Sequence, residues 1–89
     1  MEKFPCPNCK NDHYTLIRYK DAVCRECLDL YGTKTKEGII KSFFNRDEFG
    51  GIICYCEEVV TDDYICYVDN KKCIAEVTRF GGIVIRMFN

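Results

Sequence analysis

From residue 39 onward the apolar positions fall in short runs that read as β-strands, at 39–44, 51–60, 64–68, 72–78 and 83–88. Polar clusters separate them: Asn45-Arg46-Asp47, Thr61-Asp62-Asp63 and Asp69-Asn70, residues whose side chains bond to nearby backbone and favour turns. If Asp69 and Asn70 are the two loop residues of a hairpin, both tolerate the positive φ of a type I′ turn, and Val68 then faces Lys71 while Cys66 faces Cys73. Upstream, Tyr14-Thr15-Leu16-Ile17-Arg18-Tyr19 is a β-prone stretch between two cysteine pairs. The run 32–38 is polar, bounded by glycines and without periodicity, so it reads as a loop. No segment carries the 3.6-residue repeat of a long helix. The pattern Phe49-Gly50-Gly51-Ile52-Ile53 recurs as Phe80-Gly81-Gly82-Ile83-Val84, with paired glycines ahead of two apolar strands. The expected architecture is small and mostly β. A module at 1–31, a loop at 32–38 and a small antiparallel sheet at 39–89 pack as one domain.

Size changes this picture. The chain has 89 residues, near the length at which one hydrophobic core supplies only a few kcal/mol unless something staples it. Eight cysteines fit either disulfides or metal ligation. The chain opens Met1-Glu2-Lys3-Phe4-Pro5-Cys6, without the apolar run of a secretory signal, which points to a reducing intracellular compartment. No apolar stretch approaches the roughly 18–20 residues that span a bilayer.

Cys6-Pro7-Asn8-Cys9 and Cys24-Arg25-Glu26-Cys27 give C-x₂-C-x₁₄-C-x₂-C, close to a recognised zinc spacing. Two intervening residues let the backbone turn so that both sulfurs point at one ion, and two such turns supply a tetrahedron of thiolates. A closed Cys₄ shell leaves no position for water, so a single structural Zn²⁺ is expected, and no hydrolytic enzyme. These two motifs resemble the knuckles of the zinc-ribbon superfamily, in which pairs of the type Cys-Pro-x-Cys and Cys-x-x-Cys sit at the ends of β-hairpins. The resemblance covers about a third of the chain. It implies a ribbon at 1–31, in a family that serves transcription machinery, ribosomes, nucleic-acid enzymes and protein-docking modules. The alternative is a short helical turn at Leu28-Asp29-Leu30-Tyr31, as in treble-clef sites, ended by Gly32.

The other four cysteines admit two readings. Strand alternation places Cys54 and Cys56 on one face, and a return about Asp62 with the Asp69-Asn70 hairpin adds Cys66 and Cys73. That set is either a second metal site or a small-residue core; the C-x-C pattern is not a knuckle, and free cysteine behaves as a small apolar side chain, which favours the core. His13, the only histidine, is read as a surface residue, since four cysteines already complete a site.

Charge then bears on partners. Residues 1–46 carry nine Lys/Arg against six Asp/Glu, and residues 47–89 four against eight, so +3 stands against −4 in a net charge of −1. This lacks the basic face of a typical nucleic-acid binder. The leading expectation is a non-enzymatic adaptor that meets a protein partner within a larger assembly of the transcription or translation type. Direct nucleic-acid binding through Tyr14, Arg18, Tyr19, Lys20 and Arg25 is the runner-up. A thiol redox or metal-handling role comes third; it requires a low-pKa exposed thiol among the second four cysteines.

Overall fold

The computed structural model describes residues 2–46, 51–78 and 82–88. It is small and mostly β, with three antiparallel sheets. Strands β1 (Glu2–Pro5) and β2 (Asp12–Thr15) form a hairpin around the first cysteine pair. Helix α1 (Arg25–Tyr31) follows the second pair. Strands β3 (Lys41–Asn45), β4 (Ile52–Cys56) and β5 (Val59–Thr61) form one three-stranded sheet in that order. Strands β6 (Ile65–Val68), β7 (Lys71–Val77) and β8 (Ile83–Met87) form the other. Among the described residues no helix is long and apolar enough to cross a membrane.

The Asp69-Asn70 hairpin has the register expected from sequence: Val68 faces Lys71 and Cys66 faces Cys73, with φ of 51° and 62° at the two loop residues. The strand expected at 51–60 is two strands. The chain reverses at Glu57 and Glu58, whose φ values are 51° and 68°, so that Cys56 faces Val59. These are the dihedrals of a type I′ turn filled by residues that do not advertise one. The glycine pair at 50–51 falls partly, and the pair at 81–82 partly, outside the described residues, while the strands after them begin at Ile52 and Ile83.

The strand expected at 14–19 also differs. Strand β2 ends at Thr15, and Ile17–Tyr19 form a 3₁₀ turn that buries Tyr19. In place of a second β-knuckle there is helix α1, which starts three residues before the helical turn considered at 28–31. Cys24 is its extended N-cap, Glu26 places a negative charge in its first turn, and Gly32 ends it at φ 69° with its N–H on the Leu28 carbonyl. Seven residues do not sustain a helix alone. Burial of Cys27, with Leu28 and Tyr31 packed beside it, holds this one in place.

One core joins the two ends of the chain: Cys6, Val23, Cys24 and Cys27 cluster with Ile52, Cys66, Val68, Cys73, Ala75, Ile85 and Met87. The loop at 32–38 takes part in the fold. Lys34 bridges both Ile40 and Tyr67, so its backbone joins the edge of the β6–β8 sheet to the approach to β3.

Among the described residues Lys41 is the one buried charged side chain, 4% exposed. Its ammonium donates to the Ile65 carbonyl and lies 3.1 Å from the Asp63 carboxylate. The Ile65 N–H, first, and Lys41, second, hold the Asp63 carboxyl below its ordinary pKa. A depressed carboxyl stabilises the fold above its unfolded pKa of about 3.9 and loses that contribution as pH falls through the folded value. Asp63→Asn should therefore cost about 1–2 kcal/mol at neutral pH, below the figure for fully buried pairs because Asp63 is largely solvated. The deficit should shrink on acidification below about pH 4, where the wild-type carboxylate is itself being protonated. Urea unfolding of both proteins across pH 3–7 measures it.

Candidate metal centre

The β1–β2 hairpin presents Cys6 and Cys9 in its loop. Cys6 N–H donates to the Asn11 carbonyl at 2.8 Å and Lys10 N–H to the Cys6 carbonyl at 2.9 Å. Lys10 takes φ 69° to close the turn. Cys24 and Cys27, at the cap and in the first turn of α1, meet them from the other side. The four sulfurs lie within 4.8 Å of one another, the one such group among the described residues.

The spacing tests whether an ion fits. Four thiolates about 2.3 Å from a central ion at tetrahedral angles stand about 3.8 Å apart. Here Cys6 Sγ and Cys27 Sγ are separated by 3.8 Å, and Cys9 Sγ and Cys24 Sγ by 3.7 Å. A disulfide needs about 2.0 Å, and all four cysteines are free. Two of the six sulfur separations thus match a tetrahedral metal shell, and the rest lie within 4.8 Å, close enough to hold one ion.

Its surroundings suit thiolates. The N–H groups of Asn8 and Cys24 each donate to Cys6 Sγ at 3.4 Å. Burial opposes ionisation of Cys6, but the backbone N–H groups of Cys24, Cys9 and Asn8 outweigh it and bring the thiol down to about 6. Burial pushes Cys24 up to about 12 and also raises Cys27. Without an ion, then, the Cys6 thiolate forms readily while Cys24 and Cys27 resist. A divalent cation supplies the charge that lets all four ionise.

A second sphere reaches this site from far along the chain. Asn8 Nδ2 donates to Cys27 Sγ at 3.5 Å, and Asn8 Oδ1 accepts from the Lys71 ammonium. A positive charge on the β6–β7 hairpin is thus relayed to a ligand sulfur through one amide. Sequence reasoning did not find Asn8 or Lys71. An asparagine inside a cysteine knuckle was the available signal for the first, and 63 positions separate it from the second.

The second four cysteines form no comparable ligand group among the described residues. Cys66 and Cys73 face each other on β6 and β7, whereas Cys54 and Cys56 lie on β4 in the other sheet. Cys54, Cys66 and Cys73 have no exposed surface. Burial, with the neighbouring Cys73, pushes Cys66 up to about 12, and burial pushes Cys73 up to about 11. Such thiols are poor nucleophiles at neutral pH. His13 stands on β2 opposite Phe4 and outside the four-sulfur group; contrary to the expectation of a surface residue it is half-buried, with a buried Nε2 that has no hydrogen-bond partner among the described residues.

Of the residues considered for nucleic acid, Tyr14, Arg18, Lys20 and Arg25 are exposed, Tyr14 with the Lys3 ammonium 5.6 Å from its ring centre. Tyr19 departs from that expectation. It is 6% exposed, and the Arg86 guanidinium lies 5.7 Å over its ring, so this face is not open to a base. No known protein family, curated protein or solved structure matches the chain.

Proposed function

We propose that the chain is a non-enzymatic zinc protein, in which one structural Zn²⁺ on Cys6, Cys9, Cys24 and Cys27 fixes a small β domain that docks a protein partner within a larger intracellular assembly. The observation that carries this reading is the meeting of four free cysteine sulfurs within 4.8 Å of one another, two pairs of them 3.7–3.8 Å apart. Soft thiolates in a tetrahedron favour zinc, and four of them leave no coordination position for catalytic water. The first pair, on a hairpin, supports the zinc-ribbon resemblance for that half of the site. The second pair, at the start of α1, supports the treble-clef alternative for the other half. The split between a basic first half and an acidic second half gives an adaptor two unlike surfaces. High thiol pKa values at Cys66 and Cys73 weigh against the redox reading.

Elemental mass spectrometry on protein purified without chelator, with thiol counts in denaturant before and after metal removal, tests this. One zinc per chain is expected. Two would make the second set of cysteines a metal module, and none would overturn the reading. Exposed Arg18, Lys20 and Arg25 support direct nucleic-acid contact as a second reading. Affinity for a labelled oligonucleotide that falls steeply with salt, and is lost when these charges are removed, would move the conclusion there.

A further inference from the structure

The two three-stranded sheets have four edges; the chain's own backbone covers β6 and β8, and covers β3 at its first residue. Lys34 closes β6, its N–H on the Tyr67 carbonyl at 3.0 Å and its carbonyl accepting from Tyr67 N–H at 2.7 Å. Asp21 and Val23 close β8, through Met87 N–H on Asp21 at 3.0 Å and Val23 N–H on Ile85 at 2.8 Å. Thr33 accepts from Lys41 N–H at 2.9 Å at the start of β3. Strand β5 is the exception. Among the described residues it pairs with β4 alone, and Val59 and Val60 are 60% and 58% exposed.

Hairpin geometry says which groups that edge offers. The two-residue loop at Glu57-Glu58 makes Cys56 and Val59 the closing pair that exchanges both hydrogen bonds, so the next pair, Tyr55 and Val60, exchanges none. The N–H and carbonyl of Val60 therefore point away from the sheet. Beside Val60, on the same face, Tyr55 and Phe44 meet edge to face with ring centres 5.7 Å apart, and both are exposed. An added strand would find backbone partners at the edge and an apolar surface next to it.

Charge chooses the occupant. The sequence around β5 is Glu57-Glu58-Val59-Val60-Thr61-Asp62-Asp63, with acids at both ends. Asp63 is engaged by Lys41, while Glu57, Glu58 and Asp62 are exposed and have no cation within salt-bridge distance among the described residues. A second copy pairing antiparallel about Val60 would set Glu58 against Asp62 and Glu57 against Asp63 at each end, and like charges directly opposite destabilise a strand pair. A strand with basic residues at both ends of an apolar centre meets opposite charge instead.

We propose that the open edge of β5 binds, by antiparallel strand addition, an extended peptide whose apolar centre is flanked on both sides by Lys or Arg. The inference rests on the reading of the chain as a protein-docking module and names the surface that docks. The probe is a blocked synthetic heptapeptide, Lys-Lys-Val-Thr-Val-Lys-Lys, titrated into the ¹⁵N-labelled, metal-replete full chain. Two controls accompany it: the same peptide with glutamate for every lysine, and one N-methylated at the central threonine.

The expected result is saturable shifts centred on the Val60 and Asp62 amides, with affinity at least tenfold weaker for both controls. Rising salt should weaken binding as exposed charges are screened. Val60→Pro should abolish it with the β3–β4 amides unmoved, since proline is tolerated where the N–H faces outward from an edge. The pair Glu57→Lys and Glu58→Lys, which leaves Asp62 and Asp63 acidic at the other end of the strand, should erase the preference for the lysine-flanked over the glutamate-flanked peptide, an outcome that does not depend on whether Val60→Pro folds. Absence of saturable binding at millimolar peptide, equal affinity of the wild-type chain for the two charged peptides, or self-association through β5 on concentrating the protein would each overturn the inference. Metal content of the same samples separates the two proposals: one zinc per chain without peptide binding removes only this one, and peptide binding by a folded, metal-free chain removes only the zinc assignment.

Discussion

Cys27→Ser should abolish stoichiometric metal binding and lower the unfolding midpoint by tens of degrees. Cys27 is both a ligand-cluster residue, 3.8 Å from Cys6 Sγ, and a member of the core that includes Ile52, Val68 and Ile85. Metal release would therefore free the β1–β2 loop and α1 and open the core beneath them. Structural zinc is worth about 10–16 kcal/mol of apparent binding energy in small finger peptides, comparable with the whole stability of an ordinary domain, about 5–15 kcal/mol. A helix of seven residues has no independent means of persisting, so its circular-dichroism signal should go with the metal. Excess chelator at neutral pH should reproduce the effect in the wild-type chain. Cys66→Ala, also in the core but outside the cluster, should leave one metal bound and cost only the few kcal/mol of a small cavity. Calorimetry with metal analysis separates these cases. Retention of metal and midpoint by Cys27→Ser would remove this residue from the site.

What the sequence made legible was local. The paired cysteine spacing picks out Cys6, Cys9, Cys24 and Cys27 because two intervening residues impose a turn on the backbone wherever that turn sits in the fold. Asp69-Asn70 announces its hairpin because those side chains tolerate left-handed φ, and the register follows from the loop length. Glu57-Glu58 forms the same kind of turn with residues that rank low for it, so tertiary pairing of β4 with β5 overrides propensity there. Helix α1 escapes a periodicity search because two turns contain too few apolar positions to define a face. Its existence depends on the burial of Cys27, which only the assembled site supplies.

What stayed hidden was non-local. The Lys71 contact to Asn8, the burial of Lys41 against Ile65, and the use of Tyr19 as a platform for Arg86 each join positions more than 20 residues apart. Tyr19 shows the cost of reading an aromatic beside basic residues as a base-stacking surface: the same ring satisfies an internal cation.

Arg86→Met should destabilise the fold by about 2–4 kcal/mol. The Arg86 guanidinium makes a two-point contact with Asp21, Nε to Oδ1 at 2.8 Å and Nη2 to Oδ2 at 3.1 Å, and Nη1 reaches Glu76 at 3.1 Å. Asp21, then Glu76, hold it protonated more firmly than a free arginine. Asp21 belongs to the segment that closes the edge of β8, so this side chain fastens the end of the chain that carries the four-cysteine cluster to the second sheet. Methionine keeps most of the volume and removes the charge, leaving two partly buried carboxylates facing each other with no cation. Arg86→Lys should recover only part of the loss, because an ammonium cannot span both oxygens of Asp21 and still reach Glu76 while lying over Tyr19. Combining Arg86→Met with Asp21→Asn should cost less than the sum of the two, since the second change removes the charge that the first stranded. Urea unfolding of the four proteins measures the coupling. A loss below about 0.5 kcal/mol for Arg86→Met would mean that solvent replaces the contacts and that backbone pairing with β8 holds the segment by itself.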